Sequence, residues 1–371
     1  MKDERVLKLA HNLVTRSANL KEGQILIIEG THEARDLIIA LVRKTYEIGG
    51  HPIVRLSEDR IGREVLMGVT QAQSKLMTKY AKQLFSDAHA YIGIGASTNV
   101  FETADVPVEK KNIHSKFYGK PIHIDIRVKK GTWTILRWPN PSMAQLAKTS
   151  QEAFEDFYFN VCNLDYAKME QAMQPLKALM EKTDKVRIVA PDTDLTFSIA
   201  GQKAIICSGL HNIPDGEIFT SPIRDSINGM IRFNVPSLHK GRVHDNITFK
   251  FRDGKIIEAS SSYPDELYSE LESDEGARFI GEFAFGVNPY ITESMYDTLF
   301  DEKMVGSIHL ALGNCYEEAP NGNKSQLHWD IVQSHTSENG GGEVWFDDVL
   351  IRKNGLFVHG DLVTLNPEYL K

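Results

Sequence analysis

Gln24-Ile25-Leu26-Ile27-Ile28-Glu29 is a short apolar run between polar residues, and it reads as a buried strand. A helix follows from Glu33 and stops at Gly49-Gly50, a pair suited to a C-terminal cap. Residues 52–56 give a second strand, a helix occupies the region around 70–84, and residues 88–94 give a third strand. Upstream, Leu7, Ala10, Leu13 and Val14 recur at helical spacing, which places a helix over residues 3–18. Alternating strands and helices imply a mainly parallel sheet flanked by helices. The first half is therefore expected to be an α/β domain.

Residues 142–181 read as mainly helical and end in Glu181-Lys182-Thr183-Asp184-Lys185, where we place the boundary between domains at 1–183 and 184–371. Beyond it the texture changes. Residues 186–190 and 195–199 read as strands, and residues 246–260 alternate across Asp253-Gly254, a hairpin signal. A second hairpin is expected over 343–358. The second half is thus expected to be a β-rich α+β domain. Gly93-Ile94-Gly95-Ala96-Ser97 lacks the third glycine and the acidic partner of a dinucleotide loop, so it is read as a structural turn.

A chain of 371 residues suits two domains. With 42% hydrophobic and 25% charged residues and a mean hydropathy of −0.29, the composition is that of a soluble globular protein. A net charge of −8 argues against a nucleic-acid partner, and the pairs Lys110-Lys111 and Lys129-Lys130 are short and isolated. The charged start and the brevity of the longest apolar run, residues 37–42, lead us to expect neither a secretory leader nor a membrane span. Cys162, Cys207 and Cys315 make no disulfide framework, so a cytoplasmic protein is expected and the sequons at Asn246 and Asn323 are chance matches.

Four segments carry chemistry. On a strand, His328 and Asp330 of His328-Trp329-Asp330 share a face and could hold a metal, or form an ordinary hydrogen bond. In Ser307-Ile308-His309-Leu310-Ala311-Leu312-Gly313, His309 shares its face with small residues only, leaving space above it. Glu282 is embedded in Phe279-Ile280-Gly281-Glu282-Phe283-Ala284-Phe285-Gly286, where a carboxylate is costly unless paired or bound to a cation. Glu217 repeats that setting in Gly216-Glu217-Ile218-Phe219. Either glutamate alone reads equally as a salt bridge at a strand end. Together, Glu217, Glu282, His309, His328 and Asp330 are too many ligands for one zinc and suit two divalent ions: Zn²⁺, Co²⁺ or Mn²⁺.

In their order, Gly216-Glu217, Gly281-Glu282, His309-Leu310-Ala311-Leu312-Gly313 with Tyr316, and His328-Trp329-Asp330 resemble the thermophilic-aminopeptidase family of metallopeptidases (aminopeptidase T and S type). The resemblance extends to Trp138-Pro139 and to Val161-Cys162-Asn163-Leu164-Asp165. It implies a metallo-aminopeptidase that removes the N-terminal residue of peptides by means of a water bridging two metals. It places Glu217, Glu282, His309, His328 and Asp330 on the metal ligands, with Glu282 as the bridge. Glu302 falls near a further family glutamate at a longer spacing ahead of His309, and a solvated charge is its other reading. Tyr316 matches a family tyrosine near the metals and is expected to hydrogen-bond the developing oxyanion, while Glu217 or Glu302 carries the proton. A homodimer and an N-terminal domain covering the catalytic one are also implied. The rival readings are another two-metal hydrolase and a metal-stabilised binding protein without turnover. An amidase would use the same ligands; a phosphoesterase would need a phosphate clamp, for which His239-Lys240-Gly241-Arg242 is the candidate. Cys315 beside His309 is the weaker redox or ligand alternative.

Overall fold

The computed structural model describes residues 3–129 and 131–371, so Lys130 of the second lysine pair lies outside the described residues. The chain forms two compact units: Met1–Asn163 with Gly209–Ile213, and Leu164–Ser208 with Pro214–Lys371. Helix Tyr166–Met180, which lies ahead of residue 184, belongs to the second unit.

The first unit holds a five-stranded parallel sheet in the order His51–Ser57, Ile25–Thr31, Ala90–Gly95, Thr132–Arg137, Asn212–Ile213. The three strands read from apolar runs are present, as are helices Arg35–Glu47 and Gln71–Asp87 between them. The fourth strand was not distinguished in the sequence. Helix Glu4–Asn12, continued by the helical turn Leu13–Ser17, is capped by Asp3, whose side chain accepts from Arg5 N. It buries Val6, Leu9, Ala10, Leu13 and Val14; Leu7, counted with that stripe, is exposed.

The second unit is built on two antiparallel sheets. The larger has eight strands, in the order Lys255–Ser260, Thr248–Arg252, Asn228–Arg232, Thr193–Ser198, Lys185–Ala190, Glu343–Phe346, Val349–Lys353, Leu356–Phe357. The Asp253-Gly254 hairpin is present, with both turn residues at positive φ, 49° and 78°. The expected hairpin over 343–358 is instead a three-strand meander. It turns at Asp347-Asp348 and again at Asn354-Gly355, each residue at positive φ.

The smaller sheet runs His328–Ser334, Ser307–Gly313, Ile280–Gly286, Glu217–Thr220, Ile205–Cys207, all antiparallel. One face carries Ile218, Phe283, Phe285, Ile308, Leu310, Leu312 and Ile331, all buried. It packs on the eight-stranded sheet, with Phe283 5.0 Å from Phe197 and Phe285 6.0 Å from Phe346. Burying each such side chain contributes about 1.5–3 kcal/mol, so the sheet has a rigid apolar floor. Its other face carries charged and imidazole side chains beside Phe219, Ala284, Ala311 and Val332.

Candidate metal centre

Strand register assembles the polar face. Opposite residues of an antiparallel pair share a face, and Ala311 pairs with both Glu282 and Asp330. His309 pairs with Ala284, His328 with Gly313, and Glu217 with Gly286. Glu217, Glu282, His309, His328 and Asp330 therefore rise from four adjacent strands onto one surface, where their strand partners are mostly alanine or glycine, with Val332 opposite His309 and Cys207 opposite Glu217.

Glu282 reaches that face through a β-bulge. Ile280 pairs with Leu312 on the apolar side, yet Glu282, two residues on, pairs with Ala311 on the polar side. The extra residue, Gly281, reverses the alternation between them. A Cβ on Gly281 would lie 2.2 Å from Asn314 O, so this position needs glycine.

The side chains converge. His309 Nε2 lies 3.3 Å from Glu282 Oε1, 3.4 Å from Glu217 Oε2 and 4.0 Å from Asp330 Oδ1. His328 Nε2 lies 3.6 Å from Glu282 Oε2 and 3.4 Å from Asp330 Oδ1. Each imidazole donates from Nδ1 to a backbone carbonyl, His309 to Glu302 O at 3.1 Å and His328 to Asn314 O at 3.0 Å. That bond fixes the ring and leaves Nε2 for the carboxylates. Glu217 Oε2 and Glu282 Oε2 are buried with no hydrogen-bond partner, a costly state unless a cation meets them.

Potential ligand atoms of Glu217, Glu282 and His309 lie within 4.8 Å of one another, as do those of Glu282, His328 and Asp330. The two groups share Glu282. Oxygen and imidazole donors of this kind suit hard or borderline divalent ions. A third group, Cys207, Asp215 and Glu217, meets the same distance criterion. Burial and the nearby carboxylates push the Cys207 thiol well up, so it stays protonated and is a poor ligand.

Glu302 and Lys303 follow the short helix Thr298–Asp301. Although Asp301-Glu302-Lys303 has the composition of a solvated turn, Asp301 and Lys303 are buried and Glu302 is half-buried. Lys303 Nζ is 2.6 Å from Glu217 Oε1, contacts Glu302 Oε1 and lies 4.0 Å from Asp215 Oδ1. Sequence reading passed over Lys303 and Asp215, because neither stands in an apolar run that would signal a buried charge.

The electrostatics follow from five carboxylates crowded around one ammonium and two imidazoles: Asp215, Glu217 and Glu302 lie within 4.0 Å of Lys303 Nζ, while Glu282 and Asp330 face His309 and His328. Burial raises the Glu282 and Glu302 carboxyls, with neighbouring carboxylates adding to the effect. Burial alone would lower both imidazoles; the carboxylates outweigh it and raise His309 to about 9 and His328 to about 10. Burial likewise opposes ionisation of Asp330, but His328 beside it holds its carboxyl below the usual range.

Tyr316 lies beyond the end of strand Ser307–Gly313, its ring 4.9 Å from His328 and 5.4 Å from Phe219. The residue is 44% exposed, yet crowding around it and the field of Glu282 and Asp330 raise its phenol pKa and keep it a neutral donor. Cys315 also lies past the strand and donates its thiol to Asn323 O at 3.2 Å, rather than standing beside His309. The basic cluster at 239–242 is already paired: Lys240 bonds Glu270, Arg242 faces Glu266, and His239 stacks on Trp329 at 4.1 Å.

A family model described as thermophilic metalloprotease (M29) matches residues 2–357. The chain is 25% identical over 360 residues to aminopeptidase AmpS of Bacillus subtilis (strain 168), covering 86% of this chain and 87% of that one. It is 27% identical over 363 residues to aminopeptidase T of Thermus aquaticus, covering 87% of each. Its fold matches wild-type AmpT from Thermus thermophilus with a TM-score of 0.82 at 22% identity, over 96% of this chain and 99% of that one.

Proposed function

This chain belongs to the thermophilic metalloprotease family (M29), and from that premise we propose that it is an aminopeptidase working at the cluster of Glu217, Glu282, Glu302, His309, His328 and Asp330. The observation that carries the reading is the pair of orphaned buried oxygens, Glu217 Oε2 and Glu282 Oε2, directed at imidazole nitrogens. These residues would hold two divalent ions, Zn²⁺, Co²⁺ or Mn²⁺, which when bound would supply Lewis acidity for a peptide carbonyl and a water.

The protein's own groups do the rest. Glu282, with one oxygen toward each histidine, would be the ligand common to both groups. Their Nδ1 bonds keep His309 and His328 aimed with Nε2 inward. The Tyr316 phenol donates to the oxyanion that develops on the scissile carbonyl. Glu217 and Glu302 each hold one oxygen against Lys303, and one of these two carboxylates carries the proton of the attacking water to the leaving amine. The substrates are peptides with a free N-terminus, and the metal-binding catalytic domain is the part from residue 184 on. Family resemblance supports a homodimer, and three free cysteines support the cytoplasm.

The test is hydrolysis of leucine-para-nitroanilide set against nitrophenyl phosphate, repeated on Glu282→Gln. Cleavage of the anilide alone, abolished in a variant that still folds, is the expected result. Phosphate-ester cleavage would favour a phosphoesterase, and a metal-loaded protein that cleaves neither would favour a binding protein.

A further inference from the structure

Among the described residues, Lys303 is a fully buried lysine, 0% exposed, and the surroundings of its side chain are built to hold it. Its backbone carbonyl accepts from Asn288 N at 3.0 Å. A Cβ on Gly286 would come within 2.8 Å of Lys303 C and 2.3 Å of Met304 O. Gly286 is the strand partner of Glu217, so a bare glycine lets the Lys303 segment lie over the sheet beside that glutamate. The ammonium then divides the Glu217 carboxylate: Oε1 is held at 2.6 Å, and Oε2 keeps no hydrogen-bond partner, 3.4 Å from His309 Nε2. Glu302 is held through its own Oε1, and its backbone carbonyl receives the Nδ1 proton of His309.

We propose that Lys303 is a positioning residue for the metal site: its ammonium holds one oxygen each of Glu217 and Glu302, and so turns Glu217 Oε2 inward as a ligand. The same ammonium stands by Asp215 and Glu217 and keeps a divalent ion out of the Cys207–Asp215–Glu217 group. The proposal rests on the metal reading above.

Its sign separates it from simple charge balance. Removing a cation beside a metal site makes the site more attractive to metal, so Lys303→Met should tighten binding if charge were its only role. A positioning role predicts the reverse, because a freed Glu217 no longer presents Oε2. Loss of a group that orients a ligand typically weakens metal affinity by about 10–100-fold.

The experiment is Zn²⁺ affinity by competition with a chromophoric chelator, on the stripped full chain, with circular dichroism as the check on folding. We expect Lys303→Met to bind at least about tenfold more weakly than wild type. Lys303→Gln, which keeps a donor, should fall between the two. If Lys303→Met does not fold, Lys303→Gln decides: weaker binding supports the proposal, and equal or tighter binding overturns it. Folded variants that bind as tightly as wild type overturn the positioning role alone, whereas a wild type that takes up no Zn²⁺ removes the metal reading with it.

Discussion

Tyr316 sits against His328 and Phe219 with its phenol kept neutral by crowding and by the site's carboxylates. A neutral donor next to the carboxylate and imidazole cluster is placed to stabilise charge that appears only in the transition state. Tyr316→Phe should therefore lower kcat by about 10²–10³ while leaving KM nearly unchanged. Steady-state kinetics on an aminoacyl anilide checks this, and an unchanged kcat would remove Tyr316 from the oxyanion role. At this scale the sequence exposed what local pattern can expose. His328 and Asp330 at i and i+2, and His309 among small residues, are legible because a strand's period of two is fixed. The burial of Lys303 and Asp215 was not legible, because it depends on opposite charge far away in the sequence: Lys303 Nζ lies 2.6 Å from Glu217 Oε1 and 4.0 Å from Asp215 Oδ1.

At the scale of the element, the bulge at Gly281 decides whether Glu282 faces the apolar floor or the metal face. Gly281→Ala would drive a methyl against Asn314 O, so the strand must shift or the bulge collapse. We predict a loss of about 1–3 kcal/mol in stability by urea denaturation, accompanied by loss of metal uptake. A variant that is destabilised but keeps full metal affinity would show that Glu282 does not depend on the bulge. Elements marked by backbone chemistry were readable from sequence, such as the Asp253-Gly254 turn and the Gly49-Gly50 helix end. The meander over 343–358 was read as one hairpin because Asp347-Asp348, a turn without glycine, gives no strong local signal. Strand Thr132–Arg137 is a β-branched run like its neighbours but follows a helical segment, Ser115–Val128, whose alternating isoleucines do not announce a helix.

Across the whole molecule, the division into a parallel α/β unit and an antiparallel β-rich unit was visible in the change of texture, but strand order was not. Glu217–Thr220 pairs with Ile280–Gly286 across some sixty intervening residues, and no local rule predicts such a neighbour. That long-range pairing brings Glu217 and Glu282 together against His309, and the crowding of carboxylates around the imidazoles makes the site depend on pH. His309 at about 9 and His328 at about 10 are protonated at pH 7 when no metal is bound. A metal needs the neutral imidazole, so loading must expel these protons. Affinity should therefore fall as pH falls, and calorimetry in buffers of different ionisation enthalpy should show one to two protons released at pH 7. Release of no proton would mean that the histidines are neutral before the metal arrives.

Five side chains from four strands are proposed to hold a pair of divalent ions. Anomalous diffraction from crystals of the Co²⁺-loaded protein tests it most directly. Two peaks are expected, one against Glu217, Glu282 and His309 and the other against Glu282, His328 and Asp330. A single peak elsewhere, or none on that face of the sheet, would contradict it.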